Sequence, residues 1–198
     1  FASILLTFFA THADEVETAK ATERLHIGGV QMSIGPTIAD NRDRIAAWIA
    51  KAAERPVRVV VFPEGALRGN DGDNASLVDE AVKAIRLAAW KHRVYVLCGV
   101  ANYSPKAKRE VCRMFVAGPD GREVFRYDKL YDKHDAKMPG MFHTDGVPCG
   151  TMICADRWLR GVEEIPVQEG AQVRFELSCN FASEWVAPFQ WYWYVPRA

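Results

Sequence analysis

The sequence has no excess charge of either sign. Its 198 residues include 25 lysines and arginines and 25 aspartates and glutamates, so that the formal net charge is zero. Such a chain has no global field to attract nucleic acid or an anionic membrane, and its basic residues are scattered. No apolar run reaches the roughly 20 residues that a membrane-spanning helix needs. We therefore expect neither a nucleic-acid partner nor a membrane span.

Cysteine is scarce, and its spacing does not suit a metal site. The five cysteines are an odd number. None forms a CxxC pair, and Cys149 and Cys154 are followed by no matching pair of histidines. We therefore expect no metal and no cofactor. In an exported protein four of the cysteines could form disulfides while one stays free, but the spacing selects no pairing.

The two ends of the chain differ from the rest. Residues 2–10 (ASILLTFFA) are a short apolar run followed by small and then acidic residues, as in a signal peptide, although no basic segment precedes them. The alternative is an apolar first helix packed on the core. We expect residues 1–24 to be a signal-peptide remnant and linker, and the protein to be exported to the periplasm or secreted; without a signal peptide it would be cytoplasmic.

Residues 184–198 are unusually aromatic. A chain terminus rarely leaves so much apolar area uncovered. We therefore expect the natural protein to continue beyond Ala198.

Residues 25–198 are predicted to form one α/β domain, since 49% of the chain is hydrophobic and its length allows a substantial core. β-Branched runs predict buried strands, and helical spacing of apolar residues predicts amphipathic helices. Strands are predicted at residues 26–33, 57–62, 94–100, 111–117, 123–127 and 172–177, with one more ending at Cys154; helices are predicted from Asp40 or Asn41 to about Arg55, at 75–92 and at about 159–169. The turn Pro119-Asp120-Gly121 predicts a hairpin, so the sheet is not built of βαβ units alone.

Three of the predicted strands end in residues that suit acyl-transfer chemistry. Glu64 follows a buried strand, Lys129 follows the hairpin, and Cys154 ends a strand that turns directly into a helix. The first N–H groups of that helix would point towards whatever the sulfur attacks. Singly, each residue has an ordinary alternative, a core cysteine or a solvated loop carboxylate, and Lys133 and Lys137 lie close to Lys129.

Taken in order, these elements resemble the motifs of the nitrilase superfamily, the carbon–nitrogen hydrolases. The resemblance runs from about Leu25 to the end of the chain. Its motifs here are the strand Val30-Gln31-Met32, the helix start at Asn41, VVVFPE ending at Glu64, Tyr127-x-Lys129, GTMICAD around Cys154, Gly170-Ala171 and the closing Pro196-Arg197-Ala198.

The resemblance implies a four-layer α-β-β-α sandwich and a role for each site residue. Cys154 would be the nucleophile that forms a thioester, Glu64 the general base, and Lys129 the cation that stabilises the oxyanion. Asp156 would hold the turn after the nucleophile. A free thiol has a pKa of about 8.5 and needs a nearby base or cation to react at neutral pH, which supports such a grouping independently.

The chain departs from the family at two places. The family usually carries a second glutamate between the lysine and the cysteine, but residues 128–153 contain none; Asp135 is the candidate substitute. The family's C-terminal strands and tail are also missing from this sequence. A papain-like Cys–His dyad through His134 or His143 is a further alternative, but no sequence feature places either histidine near Cys154.

The expected function is a thiol hydrolase that cleaves a non-peptide C–N bond of a small-molecule amide or nitrile, an amidase more than a nitrilase. The resemblance also implies a homodimer or larger homo-oligomer formed through helices that include the region after Cys154. The alternatives are an N-acyltransferase on the same scaffold, or a non-catalytic member that binds a small ligand or a partner protein, as the missing glutamate would suggest.

Overall fold

The computed structural model describes residues 24–70, 75–104, 109–131, 140–159, 161–162 and 164–179. Several sequence predictions lie outside these ranges. They are the signal-peptide remnant and linker, of which only the last residue, Arg24, is described, the candidate residues Lys133, His134, Asp135 and Lys137, and the aromatic segment at residues 184–198.

Five strands form the larger sheet, in the order β1-β2-β3-β4-β5. Their bounds are β1 Ile27–Gly29, β2 Val59–Val61, β3 Tyr95–Ser104, β4 Arg109–Ala117 and β5 Glu123–Asp128. β1, β2 and β3 are parallel, whereas β4 and β5 run antiparallel to their neighbours. The predicted hairpin is confirmed: β4 and β5 are joined by a turn in which Gly121 has φ +77° and its N–H donates to Gly118.

Two helices, α1 (Ile38–Ala53) and α2 (Ala75–His92), cover one face of this sheet. The predicted bounds of α2 are confirmed, but the predicted N-cap of α1 at Asp40 or Asn41 is wrong. Thr37 is the N-cap, and its hydroxyl accepts a hydrogen bond of 3.1 Å from the Asp40 N–H. Threonine is itself a good capping residue, so the helix begins earlier. Asn41 is buried in the first turn, where its side chain binds Gly35 and the carbonyl of Arg68.

The smaller sheet has the order β6-β7-β8, with β6 Phe142–Thr144, β7 Val147–Ile153 and β8 Val173–Leu177. β6 pairs antiparallel with β7, and β7 pairs parallel with β8. The sequence did not predict β6, because three residues are too few to show a period. β7 ends at Ile153, one residue earlier than predicted, since Cys154 begins a 3₁₀ helix that ends at Trp158.

The helix predicted at about residues 159–169 is much shorter than expected. Of the residues described in this stretch, those of α3, Glu164–Gln168, are helical. The 3₁₀ helix takes up the direct continuation of β7, and Gly161, with φ +89°, then reverses the chain before α3 begins.

The two hydrophobic cores show how the helices and the two sheets are layered. One core lies between the helices and the larger sheet, and a second joins the two sheets, including Leu97 and Met114 on one side and Ile153 and Phe175 on the other. A Cβ on Gly150 in β7 would meet the side chain of Pro166 at 2.5 Å, so α3 packs closely on β7. The chain thus has the mixed α/β architecture of an α-β-β-α sandwich, as predicted. Within the described residues, no helix is long and apolar enough to cross a membrane.

Candidate active site

Glu64 lies in a tight loop that β3 holds on both sides. Phe62 donates to the Leu97 carbonyl at 2.8 Å, and Leu67 donates to the Gly99 carbonyl at 2.9 Å. Gly99 makes this close approach possible: a Cβ there would stand 2.5 Å from the Pro63 oxygen and 2.6 Å from the Glu64 Cα. The loop therefore lies directly on the β3 backbone, and Glu64 is 4% exposed.

Lys129 follows β5 and reaches across to Glu64. Its N–H donates to the carbonyl of Cys112 on β4 at 2.9 Å, which continues the hairpin past the end of β5. Its Nζ lies 2.7 Å from Oε1 of Glu64, and the two side chains are 13% and 5% exposed. The alternative candidates Lys133 and Lys137 fall outside the described ranges, and Lys129 is the lysine that the structure places on Glu64.

The Glu64–Lys129 contact keeps both groups charged. Burial acts to raise the pKa of Glu64, but hydrogen bonds from Lys129, Cys179 and Cys154, with the Lys129 charge, outweigh it and lower that pKa. Burial likewise acts to lower the pKa of Lys129, and the hydrogen bond and charge of Glu64 outweigh it and raise that pKa. At neutral pH a carboxylate and an ammonium therefore stand together in a largely desolvated site.

Cys154 enters the site at the junction of β7 and the 3₁₀ helix. It is 7% exposed, its φ of +47° lies in the left-handed region, and its thiol helps to lower the pKa of Glu64. A non-glycine residue with this φ is strained, and such strain persists only where the surroundings hold it. The sharp turn brings the sulfur to the carboxylate that also holds Lys129.

Asp156 connects the Cys154 turn to the Lys129 segment. Its carboxylate accepts hydrogen bonds from the N–H groups of Ile153, Leu130 and Tyr131 at 2.8–3.1 Å and from the Tyr127 hydroxyl at 2.7 Å. Burial raises the pKa of Asp156 even though these donors favour its charged form. The residue expected to hold the turn also holds the loop that carries the lysine.

Cys179, which follows β8, also contacts Glu64 and was not among the site residues predicted from the sequence. Its N–H donates to Oε2 of Glu64 at 3.3 Å. Burial, reinforced by the Glu64 charge, raises the pKa of this thiol to about 11. Apart from its place after a strand, no sequence signal marks Cys179.

The other candidates do not join this cluster in the described parts of the chain. His143 lies on β6 with an exposed side chain, and no hydrogen bond joins it to Cys154. Asp135 and His134 are outside the described residues. All five cysteines are free thiols, and among the residues described no group of three or more His, Cys, Asp or Glu side chains is arranged to hold a metal ion.

Comparison with solved structures gives the same architecture. A cysteine-to-alanine mutant of the Nesterenkonia AN1 amidase from the nitrilase superfamily superposes with a TM-score of 0.70 at 17% identity, over 83% of this chain and 69% of the amidase. A carbon–nitrogen hydrolase from Helicobacter pylori G27 superposes with a TM-score of 0.66 at 18% identity, over 84% of this chain and 65% of that protein. At these identities the likeness concerns the fold.

The sequence itself matches a family model. No curated protein sequence matches this chain. The model described as carbon-nitrogen hydrolase, however, matches residues 26–196, which is most of the chain and includes every element of the site. Together with the sandwich architecture, this match shows that the chain is an enzyme of the carbon–nitrogen hydrolase family.

Proposed function

We propose that this protein is a cysteine-dependent amidase in which Glu64, Lys129 and Cys154 act together on a small amide. The observation that carries the proposal is that one buried carboxylate interacts with both other groups: Glu64 binds the Lys129 ammonium at 2.7 Å, and the Cys154 thiol lies near enough to help lower the pKa of Glu64. A nucleophile, a base and an oxyanion-stabilising cation are the groups that acyl transfer requires.

Each group has one task in the first half of the reaction. Glu64 takes the Cys154 proton while the sulfur bonds to the amide carbon, and the carbonyl oxygen becomes an oxyanion. The Lys129 ammonium, with backbone N–H groups, stabilises that charge, which is worth a few kcal/mol in a dry site. The C–N bond then breaks, Glu64 returns the proton to the departing amine, and a thioester remains on Cys154.

Water completes the cycle. Glu64 removes a proton from a water molecule, which attacks the thioester carbon, and the C–S bond breaks to give a carboxylic acid. The proton passes to the sulfur, and the free thiol is restored. The lowered pKa of Glu64 means that the base is ionised at neutral pH in the resting enzyme.

Structural neighbours support an amide as substrate. A Glu-to-Gln, Cys-to-Ala double mutant of the Nesterenkonia amidase was solved in complex with acrylamide. A further mutant shows the acetamide moiety of fluoroacetamide added covalently at the active-site cysteine. These ligands belong to that amidase; for this chain they nominate small primary amides as the first compounds to assay.

The test is intact-mass spectrometry together with ammonia release, on the full chain incubated with acetamide, propionamide, acrylamide and acetonitrile. We expect an acyl adduct and ammonia from the wild type and neither from Cys154→Ala. Cys149→Ala is the matched control, because Cys149 is a buried thiol on β7, the strand that leads into Cys154, and it contacts Thr144. It should retain both signals.

Two outcomes would contradict the amidase proposal. Ammonia release that persists in Cys154→Ala would exclude the thioester route. A folded wild type that gives neither adduct nor ammonia would favour a non-catalytic, ligand-binding member of the family. Repeating the assay with an added primary amine separates hydrolysis from acyl transfer, since an acyltransferase would yield a new amide as the main product.

A further inference from the structure

Arg157 is a buried cation directly behind the Cys154 turn. Its side chain is 4% exposed, and its Nε–H donates a hydrogen bond of 2.9 Å to the Cys154 carbonyl. Its Nη2 lies 3.9 Å from the Cys154 sulfur and 3.1 Å from Oε1 of Glu176. One guanidinium thus contacts the backbone and the sulfur of the same residue.

The backbone contact bears on the strain at Cys154. A φ of +47° costs a non-glycine residue about 1–3 kcal/mol, and the surroundings must hold it. The Arg157 Nε–H holds the carbonyl of this strained residue. A planar guanidinium suits this task because several of its N–H groups act at once in a rigid geometry.

The sulfur contact bears on charge. A cation near a thiol favours the thiolate, which is the reactive form, while a carboxylate beside that cation weakens the effect. Glu176 is placed by the sheet: it stands opposite Met152 in the β7–β8 register. Among the described residues, Glu64, Lys129, Cys179 and Arg157 interact with the Cys154 sulfur. Glu176 lies on Arg157, Arg68 acts on Cys179, and Asp156 binds the N–H of Ile153 beside the turn.

We propose that Arg157 is a positioning residue for the reaction, which holds Cys154 in its strained conformation and supplies a second cation to the sulfur, and that Glu176 sets the strength of that cation. The inference rests on the proposed role of Cys154 as nucleophile. It assigns a function to a buried ion pair outside the Glu64–Lys129–Cys154 group.

The test is the pH dependence of Cys154 alkylation by iodoacetamide, followed by peptide mass spectrometry, because it requires no substrate. In Arg157→Gln the midpoint of the pH–rate profile should rise by about one pH unit. In Glu176→Gln it should fall, since the cation is no longer balanced. Arg157→Lys keeps the positive charge but lacks the planar guanidinium with its several N–H donors, and its midpoint should lie between those of wild type and Arg157→Gln.

Arg174→Gln is the matched control, since Arg174 is an exposed arginine two residues before Glu176 on the same strand. Its midpoint should equal that of the wild type. A purely structural role for Arg157 would lower the melting temperature and leave the midpoint unchanged, and that result would overturn the inference. Midpoints that move in the same direction in Arg157→Gln and Glu176→Gln would overturn it as well. If Arg157→Gln does not fold, Glu176→Gln and Arg157→Lys decide the question.

The amide assay separates this inference from the amidase proposal. Opposite shifts of the alkylation midpoint in a protein that hydrolyses no amide would support Arg157 and reject the amidase. An active amidase whose midpoint moves in neither variant would keep the amidase and reject the role of Arg157.

Discussion

The Nζ atom of Lys129 lies 2.7 Å from Oε1 of Glu64 although 65 positions separate the two residues in the chain. Each stands just beyond the end of a strand, Glu64 after β2 and Lys129 after β5, and these strands are not neighbours in the sheet. The two side chains therefore meet across the ends of the intervening strands. The contact depends on the order in which all these strands pair.

Replacing one member of the Glu64–Lys129 pair should destabilise the protein strongly, and replacing both members should cost less than the sum of the two single changes. Glu64→Gln leaves a largely buried ammonium without its partner, which should cost about 3 kcal/mol of unfolding free energy. The double variant Glu64→Gln/Lys129→Met should lose less than the sum of the two single changes. Urea unfolding of the four proteins measures this coupling, and strictly additive losses would contradict it.

The same coupling should depend on pH with a defined sign. Because the pKa of Glu64 is lowered, its contribution is full above its ordinary pKa of 4.5 and is lost as the pH falls through the folded value. Because the pKa of Lys129 is raised, its contribution is full below the ordinary 10.5 and is lost as the pH rises through the folded value. The double-mutant coupling should therefore be constant between these limits; a coupling that peaks sharply within this range would reject the assignment.

Gly99→Ala should impair activity through Glu64. The new Cβ would meet backbone atoms of Pro63 and Glu64 at 2.5–2.6 Å, so the loop that carries Glu64, the proposed base, must shift. A displacement near 1 Å costs about 100-fold in kcat/KM. Gly29→Ala in β1 is the control, because a Cβ there meets no atom within 4 Å. Equal kcat/KM values for the two variants would show that the close approach at Gly99 is not needed.

Asp156→Asn should lower both stability and activity. The amide nitrogen of the new side chain would face N–H donors that bind a carboxylate in the wild type. This should lower the free energy of unfolding by about 2–3 kcal/mol. The segments that carry Lys129 and Cys154 would then separate. Tyr127→Phe removes only one donor and should cost about 1 kcal/mol. Thermal unfolding and kcat/KM on one amide give both readouts. If the Asn variant behaves like the Phe variant, the carboxylate does not connect the two loops.

Cys179 should react slowly with iodoacetamide at neutral pH although the residue is exposed. Burial of the sulfur and the nearby Glu64 charge raise the pKa of this thiol to about 11, which keeps it protonated. Glu64→Gln removes the charge, so labelling of Cys179 should become faster. Peptide mapping of timed samples measures the rate, and an unchanged or slower rate in that variant would show that Glu64 does not act on Cys179.

Local patterns in the sequence determined the elements of this protein. The 75–92 helix, the hairpin around Gly121 and the strand ends at Glu64, Lys129 and Cys154 follow from short-range periodicity and turn residues. Two predictions were wrong in the bounds of an element. The N-cap of α1 is Thr37, a few residues earlier than predicted, and a 3₁₀ helix and the short α3 follow β7 where one long helix was predicted.

Tertiary structure alone decided how these ends meet. That Lys129 contacts Glu64, that Gly99 admits the glutamate loop, that Cys179 reaches Glu64 and that Glu176 meets Arg157 all depend on strand order and register. Those features arise from long-range packing of the two sheets. A residue's own neighbours in the chain specify its helix or strand, but they do not specify which distant side chain it will touch.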